Sequence, residues 1–349
     1  MKKLDISGRQ TRLPVEADSE SPSRALASSR NLVEIAERIE TERAQHLWTD
    51  AIACARDVAL ACLPRKRTDE KVVKKSIAFG PDCQVTVKYS VPDDCEMPFG
   101  SDRFVFFGIQ HLARISNSPL VEFEKAGQLL EMFGLPDGGA EYRRLRARFE
   151  RLRSLNIEIE TVGSGHGAAS NTKWGIGSRF IEEWSLPTKH AVDAELAGQA
   201  TLQLAGPRSP YYVQLSESLF RRVQKGSSRE NVLLLRLDLL KHFRDSPIGW
   251  DFCVFLLHRC GSARTHSVVP HDVLMEFFKS GKERDYHTAA RLKHYFQQIK
   301  TATGNSLNAE LVSDEVCVGR GRPRKKWALK VGPSQSVVIG GSFPRKQLS

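Results

Sequence analysis

The chain has 349 residues, 40% hydrophobic and 27% charged, with 52 Lys and Arg against 41 Asp and Glu for a formal net charge of +11. That is the composition of a folded protein, with room for one large or two to three ordinary domains of about 100–200 residues each. No apolar run approaches the roughly 18–20 residues that cross a bilayer, and the opening MKKLDISGRQ lacks the apolar stretch of a secretory signal. A cytoplasmic protein is therefore expected, and the basic excess points to a polyanionic partner.

Residues 1–29, rich in Ser, Arg, Pro and acids, read as a disordered arm. In 30–64, Leu32, Ile35, Ile39, Leu47, Ile52, Ala55, Ala59 and Cys62 recur near helical spacing, which predicts an amphipathic helical segment ended by Pro64. Packing on the first domain, dimerisation and a helicase contact are all open for it. Arg65-Lys66-Arg67 is open between a phosphate contact and a solvated helix end. A first domain is read over 65–186, with a period-two strand at 84–91 and an apolar helix at 103–114. A second helix at 123–133, stopped by Gly134, and a third at 141–156 follow, then strands at 157–162 and 174–181.

Residues 187–210 read as a linker and 211–335 as a second domain. Its predicted elements are a strand or docking segment at 211–219 and helices at 234–244, 247–260 and 270–278. A long helix at 285–303, capped by Asp285, and strands at 308–319 and 327–331 complete it. Residues 336–349 read as a flexible tail. Helices followed by a hairpin, twice over, is the order of a winged helix. The expected fold class is α+β: two winged-helix domains in tandem, behind an N-terminal helical segment and a disordered arm.

The cysteines, Cys54, Cys62, Cys83, Cys95, Cys253, Cys260 and Cys317, are odd in number and form no C-x-x-C pair. A disulfide framework and a zinc ribbon are therefore not expected, and Cys253 and Cys260 read as core. No phosphate loop, paired-histidine metal motif or nucleophile elbow occurs, so neither a metal nor another cofactor is expected. Tyr211-Tyr212 is the one conceivable nicking nucleophile, set against an ordinary strand position.

Three segments carry the chemistry. On the 285–303 helix, Leu292, Tyr295, Phe296 and Ile299 define a buried face. His287, Arg291, His294 and Gln298 then form an outward stripe, with Gln297 beside it and Lys293 and Lys300 flanking. Arg pairs with guanine and Gln with adenine in a major groove, while lysines reach phosphates, so this is the candidate reading helix; a plain polar face is the alternative. The 141–156 helix carries six arginines against two glutamates. Arg143, Arg144, Arg148 and Arg151 are its candidate DNA contacts, with a basic face paired to acids elsewhere as the alternative. Finally, Gly319-Arg320-Gly321-Arg322-Pro323-Arg324-Lys325-Lys326 resembles an AT-hook core. Its arginines suit the negative potential of a narrow minor groove, and its glycines and proline suit an extended approach. Arg320, Arg322, Arg324, Lys325 and Lys326 are thus candidate wing contacts, against a tip that is basic only for solubility.

Met97-Pro98-Phe99-Gly100-Ser101-Asp102-Arg103 ahead of an apolar helix resembles the Pro-Tyr-Gly-Ser…Arg-Leu signature of RepA-type plasmid replication initiators. Further short matches follow in order: Phe133-Gly134-Leu135, Gly138-Gly139, Leu145…Arg148…Leu152, Leu237-Asp238-Leu239-Leu240…Arg244-Asp245-Ser246-Pro247, His258-Arg259, and Trp327 through Ser334. Together they cover roughly residues 60–335. Phe99 in place of Tyr, the Gly/Ser/Asn-rich loop near 163–171 and the AT-hook-like tip depart from the pattern.

The resemblance implies a protein that binds repeats (iterons) in a plasmid origin, helps open A·T-rich DNA and recruits host replication proteins, the replicative helicase among them. It also implies autorepression, copy-number control and a possible homodimer. Two reading helices on one DNA face would lie about 34 Å apart, predicting a repeat of about two turns. A transcriptional repressor with the same DNA-binding plan is the alternative, and a tyrosine-dependent nickase a remoter one; the leading reading is not an enzyme.

Overall fold

The computed structural model describes residues 22–44, 51–80, 83–123, 127–164, 171–185, 211–225, 232–263, 265–279, 284–316 and 324–334. Its first part contains α1 (Pro22–Ala44), β1 (Ala51–Ala55), α2 (Arg56–Ala61), β2 (Val72–Gly80) and β3 (Cys83–Ser90). Next come α3 (Asp102–Ser116), β4 (Leu120–Phe123), α4 (Gln128–Met132), α5 (Gly139–Arg153), β5 (Asn156–Ser164), β6 (Asn171–Arg179) and β7 (Ile181–Ser185). β8 (Tyr211–Leu215), α6 (Glu217–Val223), β9 (Val232–Arg236) and α7 (Leu237–His242) follow. The last part holds α8 (Pro247–Ser262), β10 (Ser267–Val269), α9 (His271–Phe278), α10 (Asp285–Thr303), β11 (Ala309–Val316) and β12 (Arg324–Val331).

The order helix–strand–helix–helix–hairpin occurs twice, from α3 to β6 and from α8 to β12. The two runs pair differently. In the second, β10 joins the hairpin directly, giving a three-stranded sheet in the order β10-β12-β11. In the first, β5 and β6 extend the β2–β3 hairpin into a four-stranded antiparallel sheet, β2-β3-β5-β6. β4 instead sits in a separate sheet, β4-β8-β7. Val85, Val87, Tyr89, Ile157 and Ile159 alternate inward, as a sheet with one covered face requires.

Several sequence expectations change. Residues 51–55, read as helix, form β1 and pair antiparallel with β9, whose residues 234–236 fall in the helix expected at 234–244. Each is a short, mostly apolar run; such a run fits a buried strand as well as a buried helix, and only the distant partner decides. The helix predicted from 123 is shorter, because Leu120–Phe123 alternates in burial and pairs with β8. β8, grouped from sequence with the second domain, pairs with β4 of the first run and with β7, which follows it. The helical segment near the N-terminus begins at Pro22, inside the expected arm, while residues 1–21 lie outside the described residues, as do the linker at 187–210 and the tail from 335. α1 packs on α10 and α7 through buried Leu32, Ile35 and Ile39, with the Asn31 amide 3.3 Å from the His242 imidazole.

One continuous core joins the two runs. The indole of Trp250 on α8 lies 5.3, 5.5 and 6.0 Å from the rings of Phe104, Phe107 and Phe133. Next to it, Asp251 accepts from Arg65 at 2.8 Å and pairs with Arg103 at 3.1 Å. The remaining guanidinium N–H groups donate to carbonyls: Arg65 to Phe278 and Phe277, Arg103 to Gly100 and Leu63. Two cations on one buried carboxylate hold because these carbonyls share the desolvation cost.

Candidate nucleic-acid interface

α10 is held from beneath. Thr288, Ala289, Leu292, Phe296, Ile299 and Ala302 are buried. At the edge, the Ser246 hydroxyl, which also caps α8, donates to the Tyr295 phenol at 2.8 Å, and Tyr295 meets Phe243 edge-on at 5.8 Å. Gly249 makes this approach possible: a Cβ there would stand 2.8 Å from Phe243 and 3.2 Å from Tyr295. The N-cap is Arg284, not Asp285; Asp285 is in the first turn and pairs with Lys279 at 2.8 Å, which holds its carboxyl below the usual range.

The outward side of α10 carries His287, Arg291, Lys293, His294 and Gln297 exposed together, with Gln298 half-buried at the edge. Lys300 is placed differently from the phosphate contact expected of it: its ammonium donates to the Leu307 carbonyl at 2.5 Å and closes the turn after the helix. Its charge at the helix end is also favourable to the helix dipole.

Of the candidate wing residues, Arg320 and Arg322 lie outside the described residues. Arg324 and Lys325 are on β12, in register with Val316 and Glu315 of β11. Lys326 pairs with Asp272 at the start of α9, at 2.7 Å, tying the hairpin base to the helices; the bond depresses the Asp272 carboxyl. Lys330 pairs across the strands with Glu310 at 2.6 Å. The acids opposite the basic strand thus offset part of a charge that looks unopposed along the sequence.

On α5 the four candidate arginines part company. Arg143 and Arg144 are exposed, and Arg144 pairs with Glu141. Arg148 and Arg151 do not face a groove. Arg148 is 5% exposed; its Nε donates to Ser101 Oγ at 3.2 Å and its guanidinium lies 5.7 Å from the Phe104 ring centre. Arg151 grips Asp102 with two bonds of 2.6 and 2.7 Å, reaches Glu96 at 3.3 Å and covers the Phe99 ring at 4.9 Å. The buried face of α5 is wider than the Leu145–Phe149–Leu152 stripe and takes in the edge where these two arginines lie. Arg153, not singled out from sequence, is exposed, paired with Glu150 at 2.6 Å and set over Trp184 at 5.2 Å.

Tyr211 and Tyr212 are half-buried on the central strand of the β4-β8-β7 sheet, and the Tyr212 hydroxyl donates to Glu183 at 2.6 Å. Among the described residues, no group of three or more His, Cys, Asp and Glu is placed to hold a metal ion. Cys253 and Cys260 are buried on α8; burial pushes both thiols up, Cys260 to about 11. No described helix is long and apolar enough to cross a membrane.

No family model and no curated protein matches the sequence. Among solved structures, the crystal structure of RctB domains 2–3, residues 155–483, aligns with a TM-score of 0.51 at 11% identity over 80% of this chain and 97% of that one. A selenomethionine derivative of the same two domains aligns at 0.48 and 10% identity, over 80% and 99%. The first of these likenesses gives the chain the mixed α/β fold of RctB domains 2–3.

Proposed function

We propose that this chain is a non-catalytic replication initiator that binds repeated duplex sites in an origin. Its DNA-binding units are two winged helices in tandem, with α10 as the reading helix of the second. The β11–β12 hairpin is its wing, reaching towards a minor groove with Arg320, Arg322, Arg324 and Lys325. Arg143 and Arg144 of α5 contact backbone phosphates. The plasmid setting, the opening of A·T-rich DNA, the recruitment of a host initiator and replicative helicase, homodimerisation and a cytoplasmic location belong to the same reading.

One observation carries it: His287, Arg291, Lys293, His294 and Gln297 are exposed side by side on a helix whose other face is locked into the core. These are side chains able to reach base edges and phosphates, on the third helix of a helix–strand–helix–helix–hairpin run. The fold likeness supports the reading, since RctB is a replication initiator of the Vibrio chromosome II.

The test is selection of duplexes from a random-core pool by the full chain, followed by binding to the enriched sequence. Arg291→Ala and Gln298→Ala are each expected to cost about 1–3 kcal/mol and to relax preference at one or two base pairs. Equal loss on enriched and random DNA overturns base reading. Arg322→Ala is expected to weaken binding to A·T-rich DNA more than to G·C-rich DNA. Maintenance of an origin plasmid in a host supplied with no other initiator separates initiation from repression. Loss of the plasmid with DNA binding intact leaves a repressor.

A further inference from the structure

The α10 surface holds a second outward row that the polar stripe does not include. Tyr286, Ala290, Lys293 and Gln297 fall at i, i+4, i+7 and i+11, and all four are exposed. Tyr286, in the first turn of the helix, is 59% exposed, the most of any large apolar side chain among the described residues. Its ring lies against the His287 imidazole, ring centres 3.9 Å apart and planes 37° apart. A lone exposed aromatic is ordinary. Here the ring is propped by its neighbour and continued by a small apolar side chain, and the two stand between groups suited to bases and phosphates.

We propose that Tyr286, with Ala290 one turn on, is a specificity-determining residue that packs on the 5-methyl group of a thymine in the major groove. This rests on α10 being the reading helix, as proposed above. The chemistry follows from what a groove floor offers. Every base-pair edge there shows donors and acceptors, and the thymine methyl is the one apolar group among them. His287, Arg291, Lys293 and Gln297 take the polar positions. On the base edges of a major groove, the apolar pair Tyr286–Ala290 finds a partner of its own kind in that methyl.

The experiment replaces thymines of the enriched duplex by uracil, one at a time, which removes the methyl and keeps the pairing. Binding is measured for the full-length wild type, Tyr286→Ala and Tyr286→Phe, each first matched for thermal midpoint. At one or two positions, uracil is expected to weaken wild type about fourfold, the worth of one buried carbon. Tyr286→Ala should bind the thymine duplex more weakly and be indifferent to uracil at those positions, and Tyr286→Phe should behave as wild type. A uracil effect equal in wild type and Tyr286→Ala, no uracil effect at any position, or a loss in Tyr286→Phe as large as in Tyr286→Ala overturns the proposal. Those results leave the reading helix standing, whereas failure of any sequence to enrich removes the reading helix and this contact together.

Discussion

Arg143 and Arg151 share one helix and meet opposite surroundings: solvent for the first, Asp102 and Glu96 for the second. Their substitutions should separate cleanly. Arg151→Ala strands the 1%-exposed Asp102 carboxylate and is expected to cost about 3 kcal/mol or more of stability in urea unfolding. Arg143→Ala is expected to stay within about 0.5 kcal/mol of wild type and to lower DNA affinity and its salt slope instead. His111 sets a pH dependence. Burial, with Arg114 nearby, lowers its pKa from 6.5 to about 4, and its Nδ1 accepts the Ala53 N–H at 3.2 Å. Burial likewise lowers His258 to about 3. The unfolded chain takes up these protons first, so stability is full above about pH 6.5 and falls progressively as the pH drops towards those depressed values. Urea midpoints at pH 7 and pH 5 check this, and His111→Asn, which keeps an acceptor, should lose part of the fall.

At the scale of elements, α10 depends on what stands behind it. Gly249→Ala would press a methyl against Phe243 and Tyr295, and is expected to cost about 1–3 kcal/mol and to displace Tyr295 at the edge of α10. A spectral shift of the Tyr295 ring resonances would report that displacement. α1 supports α10 from another side. Ile39, 1% exposed, is expected to cost about 2–5 kcal/mol as Ala, read from the thermal midpoint. The hairpin shows how the fold redistributes charge: Lys326 is paired with Asp272 and Lys330 with Glu310, so part of the basic strand is opposed before any DNA arrives.

The whole molecule turns on the junction around α8. The Met97–Arg103 stretch is built into that junction. Phe99 lies under Arg151, Asp102 pairs with Arg151, and Arg103 reaches Asp251. The Arg151 contacts brace the first run, and the Arg103–Asp251 pair ties it to the second. Asp251→Ala would leave two buried guanidiniums without their carboxylate, and is expected to cost about 3–5 kcal/mol. With the junction intact, tryptophan fluorescence and circular dichroism should report one shared unfolding transition. In Asp251→Ala the two signals should separate.

The sequence by itself determined the elements whose pattern is local. The 3.6-residue period of α3, α5, α8 and α10, the period-two run of β3 and the polar stripe of α10 were all legible, because each residue's neighbours along the chain set its face. Tertiary structure decided what local pattern leaves open. Ala51–Ala55 and Val232–Arg236 became strands because each is a short apolar run that found the other across the fold. Arg148, Arg151 and Lys300 turned inward because carboxylates, a hydroxyl and a carbonyl from other segments lie within hydrogen-bond reach. A guanidinium looks alike in sequence whether it awaits a phosphate or already holds an aspartate. The difference is set by desolvation and by a partner supplied from another part of the chain, and both exist only once the chain has folded.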